Sequence, residues 1–203
     1  DLSAFYFEIR KDTLYCDDKS SLTRRACRTV MDEVFNRLTA WLAPILCFTA
    51  EEAWQARYSD IENSVHLRSY DKIPVEWHDN DVSQRWTQIR RVRQVVMSAL
   101  EFARKDGRIG ASLQAAPTVY VSKDLLPAFA GQDAASLFIT SSAILTTDEA
   151  PADVFWLEAI NDIAVGFSMA EGEKCARCWK VSPEVSVARD ICERCYNVVA
   201  NLA

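Results

Sequence analysis

The sequence predicts a mainly α-helical protein, followed by a small mixed α/β unit and a C-terminal four-cysteine metal module. Three observations carry that reading. Apolar residues recur at helical spacing through most of the first 105 residues. The period changes after Gly110, where short β-branched and aromatic runs begin. Four of the seven cysteines then fall within the last 29 residues. We divide the chain accordingly into residues 1–80, a helical bundle part; 81–170, a long junction helix with the α/β unit; and 171–203, the cysteine module.

Residues 2–17 predict a helix, with Leu2, Phe5, Tyr6, Ile9, Thr13 and Cys16 on one stripe and Phe7 and Leu14 on another. A helix apolar on two sides needs cover on both. Residues 21–43 predict a second helix, with Leu22, Ala26, Val30, Val34, Leu38, Trp41 and Leu42 toward a core and Arg24, Arg25 and Arg28 opposite. Pro44 ends it. Thr49 with Glu52 reads as a capping box, so a third helix is expected from Thr49 to about Tyr58. Residues 59–80 read as irregular, with a short strand at Ser64–Arg68.

A long helix is expected from about Val82 to Lys105, closed by Asp106-Gly107. Ile89, Val92, Val95, Val96, Ala99, Leu100 and Ala103 should face inward, and Arg90, Arg93, Gln94 and Arg104 outward. Beyond it, Pro117–Val121, Phe138–Leu145 and Ile163–Met169 read as strands. Leu125–Phe129 and Gln132–Leu137 read as short helices.

Composition limits the function. The formal net charge is -6, which alone argues against a nucleic-acid partner. Yet nine acidic residues and no Lys or Arg lie between Asp124 and Glu173, so the rest of the chain sums to +3. A segregated acidic block leaves room for a basic face elsewhere. No apolar run approaches the roughly 18 residues that cross a bilayer, so no membrane partner is expected. The chain opens without Met and inside a predicted helix, which suggests part of a longer polypeptide. With two His, no Gly-rich phosphate loop and no nucleophile–base pattern, a self-contained enzyme has little support, and no catalytic residue is assigned.

The cysteines carry the sharpest chemistry. Cys175 and Cys178 form one C-x2-C knuckle, and Cys192 and Cys195 form a second after thirteen intervening residues. Two such knuckles offer four thiolates to one tetrahedral ion, and a closed four-cysteine shell around Zn²⁺ leaves no open position for water. The expected zinc is therefore structural. A rubredoxin-like iron site and a disulfide pair remain as alternatives; the glycines usual after iron knuckles are replaced by Trp179-Lys180 and Tyr196-Asn197. Cys16, Cys27 and Cys47 stand at core-like positions as small hydrophobes. Free thiols beside a thiolate cluster fit a reducing, cytoplasmic setting. Lys174, Arg177, Lys180, Arg189 and Arg194 are set among the ligands against Glu184, Asp190 and Glu193. Zinc with four thiolates adds about -2, so the module is no strong magnet for RNA and would use a few placed contacts.

Asp1–Cys16 and Leu42–Trp54 resemble the anticodon-binding helical domain of bacterial isoleucyl-tRNA synthetases. Arg93, Val96–Glu101, Ala103-Arg104 and Ile109–Ala115 are similar to that family's junction between helices and C-terminal region. Cys175–Trp179 with Cys192–Cys195 resembles its C-terminal zinc finger, a type shared with formamidopyrimidine-DNA glycosylases. The 42–54 stretch alone would also suit valyl or leucyl enzymes; the finger selects isoleucyl. Residues 138–167 match nothing in the family residue by residue. The family's His-Ile-Gly-His and Lys-Met-Ser-Lys-Ser signatures are absent.

The resemblance implies a class I synthetase anticodon-binding bundle, and a whole enzyme that attaches isoleucine to tRNA(Ile) using ATP. ATP and Mg²⁺ would act only in catalytic and editing domains absent here. This part would position tRNA as a monomer and be inactive alone. The implied tRNA contacts are Arg24, Arg25, Arg28, Arg90, Arg93, Arg104, Arg177, Trp179 and Lys180. Arginines and lysines would fix phosphates, and Trp179 would stack on a splayed base. A DNA-binding module with a glycosylase-like finger is the alternative. It leaves the helical half unexplained.

Overall fold

A computed structural model describes residues 2–59 and 62–201. The chain separates into two compact units. One comprises residues 1–18 with 79–203, and the other residues 19–78. Residues 2–18, grouped with the helical bundle on sequence grounds, thus pack with the C-terminal part of the chain.

In the discontinuous unit, a π-helical stretch Leu2–Phe7 runs into α1, Glu8–Cys16. The long helix α4, Asn80–Lys105, starts where the Asp79 carboxylate accepts a hydrogen bond from the Val82 amide. It stops before Gly107, at φ 72°. All seven inward positions read from the sequence are buried. They pack on a four-stranded sheet in the order β2-β1-β4-β3, made of β1 (Thr118–Val121), β2 (Ile144–Thr146), β3 (Phe155–Leu157) and β4 (Ile160–Gly166). β1 pairs parallel with β2 and antiparallel with β4. The β1–β2 crossover holds a 3-10 turn, Leu126–Phe129, and α5, Ala134–Phe138, capped by Asp133. Alternate residues Val119 and Val121 face the core beside Ile160, Ile163 and Val165, and Phe138 fills its centre.

The expected strand at Phe138–Leu145 shortens to β2. Its first residues end α5 instead, with Ile139 left-handed at φ 56°. The stretch 155–157 adds a strand that the alternation did not single out.

The second unit holds α2, Leu22–Leu42, capped by Ser21, and α3, Cys47–Arg57. Four expectations change here. The Thr49–Glu52 capping box does not form. Helix α3 begins at Cys47, because Ala50 N–H is already bonded to the Leu46 carbonyl, and Leu46 at its N-cap supplies no side-chain bond. Ser64–Arg68 is a 3-10 turn at Val65–Leu67, drawn in by Glu51, whose carboxylate accepts Val65 N–H and Ser64 O–H at 2.9 Å each. The assigned core side of α2 is largely open. Leu22 is 78% exposed, and Val30, Trp41 and Leu42 are also exposed. The reason is that α2 packs on α3 through small residues, Ala40 and Ala43 against Ala50, with Phe35, Trp54 and Tyr58. Cys27 is buried as expected; Cys47 is exposed.

Candidate metal centre and nucleic-acid interface

The knuckles are held by a two-stranded hairpin and a helix. β5 (Glu173–Lys174) pairs antiparallel with β6 (Val181–Ser182) on either side of the first knuckle. Helix α6, Glu193–Ala200, begins directly after Cys192, so the second knuckle occupies a helix N-terminus. Gly172, at φ 105°, leads into β5; a Cβ there would collide with the Ser182 and Pro183 backbone.

All four cysteines are buried, and their sulfurs lie within 4.8 Å of one another. Cys178 and Cys192 sulfurs are 3.8 Å apart. A tetrahedron with bonds of about 2.3 Å has edges of about 3.8 Å. None of the seven cysteines is disulfide-bonded, so the disulfide alternative fails for the knuckles. Among the described residues no other group of three or more His, Cys, Asp or Glu side chains converges in this way.

The electrostatics suit thiolates. Burial opposes ionisation at Cys175, but backbone N–H groups of Cys178, Cys192 and Arg177 outweigh it and bring the thiol down to about 6. The Cys192 amide stands 3.3 Å from that sulfur. Burial pushes the Cys178 and Cys195 thiols up. The Cys175 sulfur is thus prepared as an anion, and a bound cation would favour the thiolates of Cys178 and Cys195 against their burial. The donor set fits one structural zinc, which would hold the hairpin and α6 together.

The candidate RNA contacts fall into three groups. Trp179 is 60% exposed and left-handed, at φ 68°, with its amide bonded to the Cys175 carbonyl. The Lys174 ammonium lies 5.1 Å from its ring centre. Arg177 turns inward: it donates to the Cys16 and Tyr15 carbonyls at 2.6 and 3.1 Å. Lys180 stands 3.8 Å from the Asp12 carboxylate. On α4, Arg90 and Arg93 both lie over the Phe5 ring, at 4.6 and 5.3 Å. Arg93 also donates to the Leu137 carbonyl. Burial and the Arg90 charge lower its pKa against the opposing pull of Glu8. Arg104 is engaged by Glu101 through two hydrogen bonds. Arg24, Arg25 and Arg28 belong to the other compact unit. Arg25 and Arg28 are exposed, and Arg24 is half-buried.

Sequence reasoning missed the surroundings of the centre. Asp12, Asp17 and Cys16, all from the α1 region, pack against knuckles more than 150 residues away. The only signal was the demand of α1 for cover on two sides.

Comparison with known proteins places these features together. Residues 1–120 match the anticodon-binding domain of tRNA ligase. Residues 172–198 match the zinc finger found in FPG and IleRS. The chain is 51% identical over 186 residues to an isoleucine–tRNA ligase of Agrobacterium fabrum, covering 91% of this chain and 19% of that protein. It is 47% identical over 206 residues to that of Gluconobacter oxydans, covering 98% and 20%. With that of Ruegeria pomeroyi it shares 49% over 198 residues, covering 96% and 20%. The chain therefore spans about one fifth of the length of these relatives.

Proposed function

The chain belongs to the family of tRNA-ligase anticodon-binding domains, and from that premise we propose that it is the tRNA-holding part of an isoleucine–tRNA ligase. The observation that carries the proposal is the pairing of two features in one chain: the anticodon-binding pattern over 1–120 and a four-thiolate finger over 172–198. The DNA-binding alternative has no place for the first of these.

In this reading tRNA(Ile) is the partner, and the whole enzyme is a cytoplasmic monomer. Isoleucine, ATP and Mg²⁺ are handled in catalytic and editing domains outside this chain. The present residues bind and orient. Arg25 and Arg28 offer exposed guanidiniums to phosphates, as do Arg24, Arg90, Arg93 and Arg104 by exchange with their present partners. Trp179 offers an open indole face to a splayed base, with Lys174 beside it for the backbone charge. Arg177 and Lys180 set the knuckle that presents Trp179. In this reading the chain's functional parts are a bundle part at 1–80, a junction at 81–170 and a finger at 171–203, although residues 1–18 pack in the unit that also holds 79–203.

Adenylate formation needs only amino acid and ATP, whereas transfer needs the tRNA end delivered accurately. A small misplacement of reacting groups costs on the order of 100-fold. The test is removal of residues 171–203 from the full-length ligase. Aminoacylation should fall about 100-fold while isoleucyl-adenylate formation holds. Equal losses in both would refute the tRNA-holding role.

A further inference from the structure

Two arginines inside the knuckles face two ways at once. Arg177 lies between Cys175 and Cys178. Its Nη1 donates to the Cys16 carbonyl at 2.6 Å and stands 3.5 Å from the Cys195 sulfur. Its Nη2 reaches the Tyr15 carbonyl at 3.1 Å. Arg194 lies between Cys192 and Cys195. It forks onto both Asp12 oxygens at 2.7 Å, reaches Asp17 Oδ1 at 3.0 Å, and also faces the Cys178 thiol. Cys16 completes the contact from the α1 side, its sulfur 3.9 Å from the Arg177 carbonyl and buried with the four ligands.

Two negative features meet here. Zinc with four thiolates carries about -2. The last carbonyls of α1 have no acceptor duty within the helix and stand at the negative end of its dipole, and Asp12 and Asp17 add to them. Left facing each other, the two would repel. The guanidiniums of Arg177 and Arg194 lie between them and are shared by both.

We propose that Arg177 and Arg194 are positioning residues of the four-thiolate centre, and that through them metal retention and the order of α1 form one linked equilibrium. Linkage is reciprocal: whatever the metal does for α1, α1 does for the metal. The finger is then no independent staple. The linkage rests on the metal reading of the four cysteines and is separate from any tRNA contact.

The test uses the full-length polypeptide with Arg177→Gln, Arg194→Gln and Arg177→Lys. Two quantities are read: the rate of zinc transfer to a chromophoric chelator, and amide hydrogen exchange over residues 8–17 with α4 amides as reference. Both Gln variants should release zinc about 10-fold faster or more, the scale for partners that orient metal ligands, with faster exchange in α1 and no change in α4. Stripping zinc from the unaltered protein should raise α1 exchange in the same way. Arg177→Lys keeps the charge and loses the fork, so it should recover zinc retention and α1 protection together, each in part. Unaltered zinc release in both Gln variants overturns the proposal, as does α1 protection that survives zinc removal. Where a Gln variant also loses α4 protection, Asp12→Asn decides, since Asp12 is not bonded to any ligand sulfur: faster zinc release upholds the linkage, and an unchanged rate overturns it. No readout involves tRNA, so failure here is distinct from failure of the tRNA-holding function.

Discussion

Arg194 and Asp12, 182 positions apart in sequence, form a two-pronged ion pair with both prongs at 2.7 Å. Burial opposes the Asp12 charge, but the Arg194 hydrogen bonds and charge prevail and hold its carboxyl below the usual carboxylate range. A depressed folded pKa stabilises above the unfolded value of about 3.9, and that stability is lost as pH falls through the folded value. Asp12→Asn should therefore cost about 1 kcal/mol at pH 7, a modest figure because Arg194 is partly open to solvent. The difference between the two proteins should shrink below about pH 4. Urea unfolding of both across pH 3–7 checks it; a difference independent of pH would refute the assignment.

Phe138 is fully buried beside Phe129, whose ring centre is 6.0 Å away. Phe138→Ala should cost about 3–5 kcal/mol through lost burial and the cavity left behind. Circular dichroism in denaturant should show the unit of residues 1–18 and 79–203 losing stability while residues 19–78 keep theirs.

Gly172→Ala adds a methyl group where the Ser182 and Pro183 backbone stands, at a φ that L-residues rarely adopt. We expect about 1–3 kcal/mol of strain, appearing as faster zinc loss. Wild-type zinc retention in this variant would show that the β5–β6 hairpin adjusts freely.

Trp179 holds a backbone conformation that glycine adopts at no cost. Trp179→Gly should therefore be more stable than Trp179→Ala by about 1 kcal/mol. Both should lose equal tRNA affinity in the full-length ligase, on the scale of one stacked base, about 1–3 kcal/mol. Thermal melting orders the first pair and filter binding measures the second. Unchanged affinity in both variants removes Trp179 from the interface.

The sequence was legible where spacing alone decides. The inward face of α4 follows from its period, and the four ligands follow from two knuckles. It was misleading on α2, because the packing against α3 goes through Ala40, Ala43 and Ala50. Small residues bring backbones close without adding hydrophobic weight, and Leu22, Val30, Trp41 and Leu42 stay outside. The Glu51 carboxylate redirected Ser64–Arg68 into a turn by taking two donors across thirteen and fourteen residues, a contact no local window contains. The clamp on α1 was hidden for the same reason. Charged residues on a helix read as solvated until their partners are placed.

The discontinuity of the first unit fixes an order of events on the ribosome. The Tyr15 carbonyl waits for Arg177, 162 residues later. At about 5–20 residues per second, that gap lasts on the order of 10–30 s. Throughout it the last turn of α1 lacks its cations and Cys16 lacks its cover, whereas Ile9 belongs to the core that α4 and α5 supply earlier. The nascent chain can complete residues 19–78 in the meantime, since that unit is contiguous. The last turn of α1 is then left open until both knuckles have emerged and Arg177 and Arg194 can close on it.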